Sequence, residues 1–267
     1  MEASGRTILG AFLLALLVAG SFVVTSVDAQ VARYEPPRTV DGIPDLQGIW
    51  QVMGSANVNL LAHSASSDGP AGESVVEGGV IPYQDWAAKK QQENYADRQK
   101  LDGERNCLLS GVPRATYLPH PFQIVQTPDM VAILHEYAHM QRRVYTNKTS
   151  HLEDLQFYLG DSRGRYEGNT LVVDTVNFNG ETWFDRAGNF HSDELKVEER
   201  YTRIGPDHIQ YEATMTDPKV FTRPWKLQLT LYRNIDPKAQ ILDYQCYAFE
   251  DRTPGMTVPL SRQSPLP

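Results

Sequence analysis

Three side chains capable of acid/base chemistry lie within one connection of the chain, residues 182–194. His191 titrates near neutral pH and is able to give or take a proton. Asp185 is close enough in sequence to orient this imidazole, and Arg186 is suited to bind a carboxylate or an oxyanion. Tyr137, from an earlier segment, is a further candidate for stabilising developing negative charge. The pattern predicts cofactor-free acid/base catalysis of the lyase, isomerase, hydratase or cyclase type.

The same connection is rich in aromatic residues. Trp183, Phe184 and Phe190 would form an apolar wall that excludes water, so the predicted substrate is a small apolar or aromatic molecule. The connection is much longer than a hairpin turn, and long loops with such content often hold a site. The alternative is a structural loop, in which Asp185 caps a turn, Arg186 pairs with it and the aromatic rings fill the end of a barrel.

A second motif, His135-Glu136-Tyr137-Ala138-His139, has the form H-E-x-x-H. On a helix, His135 and His139 would bind zinc and Glu136 would activate water, as in a zinc hydrolase. On a strand, residues four apart lie about 13 Å from each other, too far to share one metal. His135, Tyr137 and His139 would then share one face of the strand and contact substrate. We predict no metal, with zinc bound by the two histidines as the alternative.

The elements that must position these residues are mostly strands. Short apolar or alternating segments separated by Gly, Pro, Asn and Asp turns predict an all-β fold, an antiparallel β-barrel of calycin or lipocalin type. The predicted strand segments are Asp45–Val52, Phe122–Thr127, Asn169–Phe178, Leu195–Arg203, Asp207–Thr216, Trp225–Tyr232 and Ile241–Phe249, with Gly160–Glu167 as a turn. Met130–Tyr145 is a further segment, in which the H-E-x-x-H part is either strand or helix. Asp174 and Tyr201 lie inside otherwise apolar strands, and we expect them to line a polar lumen and contact substrate, with exposure to solvent as the alternative.

One helix is predicted, over Pro82–Leu101, as a strap across the barrel. The expected organisation is a signal peptide over 1–29, an arm with a mobile loop and the helix over 30–110, the barrel over 111–252 and a tail over 253–267.

The first residues predict export. Arg6 precedes an apolar run from Ile8 to Val24, and the small residues of Val27-Asp28-Ala29 suit cleavage before Gln30. The protein is therefore expected in the periplasm or outside the cell, with no membrane segment after cleavage. In that compartment the two cysteines, Cys107 and Cys246, are predicted to form a disulfide, with two buried thiols as the alternative.

The charge and composition of the chain limit the kinds of partner that are expected. The chain has 267 residues and a formal net charge of −8, and no Lys/Arg-rich run occurs, so nucleic acid is not an expected partner. The oligomeric state is left open.

Two resemblances follow from these motifs. The run 168–175, followed by Thr182-Trp183-x-Asp185-x-x-Gly188-x-x-His191-Ser192, resembles a large family of exported bacterial hypothetical proteins. That resemblance implies export from a bacterium, and no activity or functional residue comes with it. Gly48 and Trp50 resemble the Gly-x-Trp that opens lipocalin and other calycin barrels, in which the Trp plugs one barrel end, so the resemblance implies a barrel of that type. A lipocalin-type binding protein without catalysis is therefore the alternative to an enzyme.

Overall fold

A closed barrel of nine strands dominates the computed structural model, which describes residues 34–244 and 246. Each strand pairs with the next along the chain, and the last pairs with the first. In chain order the strands are β1 Gly48–Val52, β2 Phe122–Gln126, β3 Met130–His135, β4 Gln141–Tyr145, β5 Asp161–Glu167, β6 Thr170–Val176, β7 Lys196–Gly205, β8 His208–Thr216 and β9 Trp225–Arg233. The predicted all-β barrel is confirmed.

The first strand closes the barrel. Trp50 in β1 pairs with Phe122 in β2 on one side and with Arg233 in β9 on the other. A barrel strand therefore comes from the segment that was predicted to be an arm. The strand predicted at Ile241–Phe249 is wrong over 241–244, where the structure has one isolated bridge, between Tyr137 and Tyr244. Residues 245 and 247–249 lie outside the described residues.

Alternation along the strands separates an inner and an outer face. In β7, Val197, Glu199 and Tyr201 are buried, whereas Glu198 and Arg200 between them are partly exposed. The apolar inner residues of β8 and β9 follow the same period of two, which gives the barrel a continuous core. The core burial therefore follows directly from the sequence pattern.

One neighbouring pair of strands departs from the prediction of an antiparallel barrel. β4 and β5 run parallel and share only two paired positions, Val144 with Ser162 and Tyr145 with Arg163. A parallel pair needs a crossover connection, and residues 146–160, most of which are exposed, supply it.

The segment predicted as a turn at Gly160–Glu167 is also corrected, because its residues from Asp161 onward form β5. Gly164 indicates close packing rather than a turn: a Cβ there would lie 2.7 Å from Cγ1 of Val144. Arg165 and Glu167 point outward and form an exposed ion pair. The sequence of β5, Asp-Ser-Arg-Gly-Arg-Tyr-Glu, therefore lacks the alternation of apolar and polar residues that identifies the other strands.

The predicted strap helix is present as α1 Asp85–Ala96 and a short continuation, α2 Arg98–Leu101. The α1 helix crosses the connection between β6 and β7, where Gln91 Nε2 donates to the carbonyl of Ala187 (2.7 Å) and Asn94 Nδ2 to that of Gly188 (3.2 Å). Gly188 has φ +80°, and a Cβ there would lie 2.8 Å from the Cβ of Asn94. The glycine therefore permits the close approach of helix and connection.

The predicted disulfide joins Cys107, just after α2, to Cys246 beyond β9. No helix in the described part of the chain is long and apolar enough to cross a bilayer. The predicted signal peptide and the predicted tail lie outside the described residues.

Candidate functional site

The connection between β6 and β7, expected to hold the catalytic residues, is organised around Asp185. This carboxylate is fully buried and accepts hydrogen bonds from the backbone amides of Leu60 (2.8 Å) and Ala187 (3.0 Å) and from Asn189 Nδ2 (2.6 Å). Burial raises the pKa of Asp185 to about 6, although these donors oppose the shift. Its hydrogen bonds go to the arm and to its own turn, and none goes to His191.

The imidazole of His191 is enclosed. Its Nδ1 lies 2.8 Å from the carbonyl of Ser192, which only accepts, so Nδ1 carries the proton. Nε2 then accepts from the hydroxyl of Thr182 at 2.7 Å. The rings of Phe178 and Phe184 contact the imidazole, and burial lowers the pKa of His191. The predicted orientation of His191 by Asp185 is therefore wrong, and both ring nitrogens are already engaged.

Arg186 ties the connection to the arm. Its guanidinium donates two hydrogen bonds to the carboxylate of Glu104, both 2.8 Å long, and a third to the carbonyl of Asp68. Glu104 also pairs with Arg114, which is fully buried and bidentate on Asp102. The residue predicted to stabilise an oxyanion is thus part of a largely buried ionic network that fastens the connection to the arm.

The aromatic residues of the connection pack against the core and α1. Phe184 is buried edge-on against Trp225, and Phe190 stacks on Tyr83 and meets the edge of Trp86. Trp183 is half-buried and forms an isolated bridge with Phe190. None of the three is among the residues that line four surface clefts of the described chain.

The H-E-x-x-H motif is a hairpin turn. The β3 strand ends at His135, and Ala138 and His139 both have left-handed φ near +50° before β4 begins. His135 points into the barrel, whereas His139 is exposed and pairs with Asp243. The proposed shared face of His135, Tyr137 and His139 is therefore wrong. Among the described residues, no three His, Cys, Asp or Glu side chains group to hold a metal.

Tyr137 is held within that turn. Its hydroxyl donates to the carbonyl of Glu104 at 2.6 Å, and its ring packs beside Tyr244. Burial and the nearby carboxylate of Glu104 raise the pKa of Tyr137, so the phenol stays protonated at neutral pH. The hydroxyl is turned to the arm rather than to the barrel interior.

Asp174 and Tyr201, which were both expected to line a polar lumen, lie on opposite faces of the barrel wall. Asp174 lies on the outer face of β6, where it pairs with Arg165, so its predicted position inside the barrel is wrong. Tyr201 points inward and is fully buried. Its hydroxyl donates to Oε1 of Glu199 at 3.0 Å, as does that of Tyr211 at 2.9 Å.

A buried polar cluster therefore crosses the interior, and Arg142 completes it. The Arg142 guanidinium is bidentate on Glu199, with Nη1 3.0 Å from Oε1, and also donates to Ser162 (3.1 Å) and Thr175 (2.9 Å). Burial opposes the charge on Arg142, but the Glu199 carboxylate outweighs that cost and raises the pKa of Arg142. Sequence reasoning missed Arg142, although its position two residues before the buried Val144 indicates the inner face.

His135 lies on the same inner face. Burial and the positive charge of Arg142 lower the pKa of His135 to about 3, and the ring donates to the carbonyl of Ala115. Its Nε2 has no partner among the described residues. The imidazole is thus neutral and presents a free acceptor to the interior.

The polar cluster reaches the surface beside the parallel strands. A cleft of about 410 Å³ lies between β4 and the crossover 146–160, and Arg142 and Ser162 form its inner end. Its remaining lining is mainly apolar or aromatic over the crossover, with polar side chains on β4: Leu109, Gln141, Arg143, Tyr145, Leu152, Gln156, Phe157, Tyr158, Leu159, Gly160 and Asp161. Small-molecule sites have volumes of about 300–1,000 Å³ and this kind of apolar lining with a few polar groups.

A larger groove, of about 640 Å³, lies on the outside of β8 and β9. It is open and its rim is charged and polar, with Glu77, Glu212, Lys226 and Gln228 among the lining residues. It lacks a connection to the buried cluster, so the cleft beside β4 and β5 is the stronger candidate.

Comparison with known proteins adds little to this geometry. No protein-family model and no curated protein matches the chain, so the resemblance to a family of exported proteins stays a prediction. Among solved structures, one similar chain is described as the crystal structure of the fluorescent protein UnaG N57A mutant. It is 11% identical, with a TM-score of 0.33, and the match covers 72% of this chain and 97% of that one. A similarity of that size carries no argument about site or function.

Proposed function

We propose that this protein binds a small molecule, largely apolar or aromatic, in the cleft beside β4 and β5. The observation that carries the proposal is the composition of the cleft. Leu152, Phe157 and Leu159 supply apolar walls, and the buried side chains of Arg142 and Ser162 supply a polar inner end. An apolar enclosure with a few fixed polar groups is the usual construction of a small-molecule site.

Binding is better supported than catalysis because the buried polar groups are already engaged. Glu199 accepts from Arg142 and from two tyrosine hydroxyls. Burial, reinforced by the charge of Glu199, raises the pKa values of Tyr201 and Tyr211, so both phenols stay protonated. His191, the predicted acid/base residue, does not line the cleft.

The predicted export accords with this function. The disulfide between Cys107 and Cys246 is of the kind found in oxidising compartments, which supports a role in the periplasm or outside the cell. We therefore propose an exported protein that binds a small molecule at the barrel wall, with the cofactor-free enzyme as the weaker candidate.

The experiment is a fluorescence titration with phenylnaphthylamine, a neutral aromatic probe whose emission rises in apolar surroundings. Phe157→Ala removes one aromatic wall of the cleft, where Phe157 is 37% exposed. We expect about tenfold weaker binding, the loss that follows from removing part of an aromatic contact.

The control is Tyr232→Ala, because Tyr232 is 42% exposed and lines the groove on β8 and β9 instead. This variant should bind the probe as the wild type does. Equal weakening by both substitutions, weakening by Tyr232→Ala alone, or no binding to the wild type would overturn the proposed site.

A further inference from the structure

The charges that line the cleft do not cancel. Three charged side chains line it, namely Arg142, Arg143 and Asp161. Arg142 is neutralised by Glu199. Asp161 is neutralised by Arg163 and also accepts from the backbone amide of Leu152, at 2.9 Å. Arg143 remains as the uncompensated charge.

Arg143 is free to meet a ligand. It lies on the outer face of β4, and within the described part of the chain its guanidinium forms no hydrogen bond or ion pair. Its neighbours on that face, Gln141 and Tyr145, also line the cleft. A guanidinium presents five N–H donors in a planar fork that matches a carboxylate or a sulfonate.

This cation belongs to a molecule with an excess of negative charge. The protein has a formal net charge of −8, so its surface repels anions in general. Two other outward arginines of the barrel are ion-paired: Arg165 with Glu167 and Arg200 with Glu198. The unpaired guanidinium thus lies at the edge of the apolar cleft.

We infer that the ligand is an anionic amphiphile, whose apolar or aromatic body fills the cleft and whose carboxylate or similar anion pairs with Arg143. This inference rests on the proposed function, since it assigns the chemical class of the ligand for the same cleft. Leu152, Phe157 and Leu159 contact the body of the ligand, and the fork of Arg143 fixes its charged end.

The test compares two probes that share the same aromatic rings. Anilinonaphthalene sulfonate carries an anion, and phenylnaphthylamine does not. The wild-type protein should bind the sulfonate more tightly at low ionic strength, and the difference should shrink as salt screens the pair. Arg143→Gln should weaken sulfonate binding about fivefold, within the range of an exposed charge pair. It should weaken phenylnaphthylamine binding clearly less, because that probe has no charge to pair with the guanidinium, and equal losses for the two probes would overturn the anion assignment.

The matched control is Arg223→Gln. Arg223 is exposed, lines a different cleft beside Trp225 and undergoes the same change of charge. It should alter neither titration.

The outcomes separate the two proposals. Equal affinity of the wild type for both probes, or no effect of Arg143→Gln, would overturn the anion assignment while leaving the cleft as a binding site. Equal losses in the two arginine variants would reduce the effect to net charge and overturn it too. Failure of both probes to bind would overturn the proposed function and the inference with it.

Discussion

Replacing Arg142 by methionine should destabilise the barrel by about 3–5 kcal/mol, the usual cost of removing one partner of a buried ion pair. The two side chains are 3% and 0% exposed, so water cannot replace the lost partner. The substitution leaves Oε2 of Glu199 without its donor, while Tyr201 and Tyr211 still donate to Oε1. Ser162 and Thr175 keep only each other, at 3.1 Å.

The assay is urea unfolding at neutral pH, followed by circular dichroism, in a double-mutant cycle. Glu199→Gln in the Arg142→Met background removes the orphaned charge and keeps an acceptor for the two tyrosines. The double variant should therefore be more stable than Arg142→Met alone, with a coupling free energy of about 2 kcal/mol or more.

The control is Arg165→Met on the outer face, where the side chain is 46% exposed. An exposed pair of this kind contributes less than about 1 kcal/mol. A loss below about 1 kcal/mol for Arg142→Met, or additive effects in the cycle, would refute the account of the interior as a coupled ionic cluster.

Two further predictions concern the buried histidines. His191→Ala should lower the unfolding free energy by about 2–4 kcal/mol, because it opens a void between Phe178 and Phe184 and removes the partner of Thr182; an unchanged melting temperature would instead favour the catalytic role. For His135, the folded pKa of about 3 lies below the ordinary value of 6.5, so its contribution is complete above pH 6.5 and is lost as pH falls towards 3. Relative to His135→Leu, the wild type should lose about 1.4 kcal/mol per pH unit in that window, and parallel stability–pH curves for the two proteins would contradict the assignment.

The fold was largely predictable because inward-facing and outward-facing residues alternate along most strands, and the alternation is visible in the sequence. Glu199 and Tyr201 alternate with exposed residues in β7, and the same rule holds across β8 and β9. The strand β5 was predicted as a turn because glycine is common in turns. In the structure, Gly164 instead leaves space for the side chain of Val144 on the neighbouring strand. The parallel pairing of β4 and β5 depends on the path of a crossover, which no local pattern encodes.

The site was less predictable because the type of a residue does not reveal which group its side chain hydrogen-bonds in the folded protein. Asp185 and His191 lie six positions apart, yet the carboxylate turns to Leu60 and the imidazole to Thr182. The hairpin turn at 136–140 also changes which side chains point into the barrel. His135 before the turn is inside, whereas Arg143 after it is outside. A continuous strand through that segment would have given both residues the same face.

Closure through β1 has a consequence for how the chain reaches its native state. Trp50 must meet Arg233, so the circle of hydrogen bonds is completed only after nearly the entire sequence is available. Until then, the two edge strands of the open sheet each have a row of unpaired backbone N–H and C=O groups. Such an edge can form a β-sheet with a neighbouring molecule. Truncation between β8 and β9 would therefore leave an open sheet whose two edges are free to pair with another molecule.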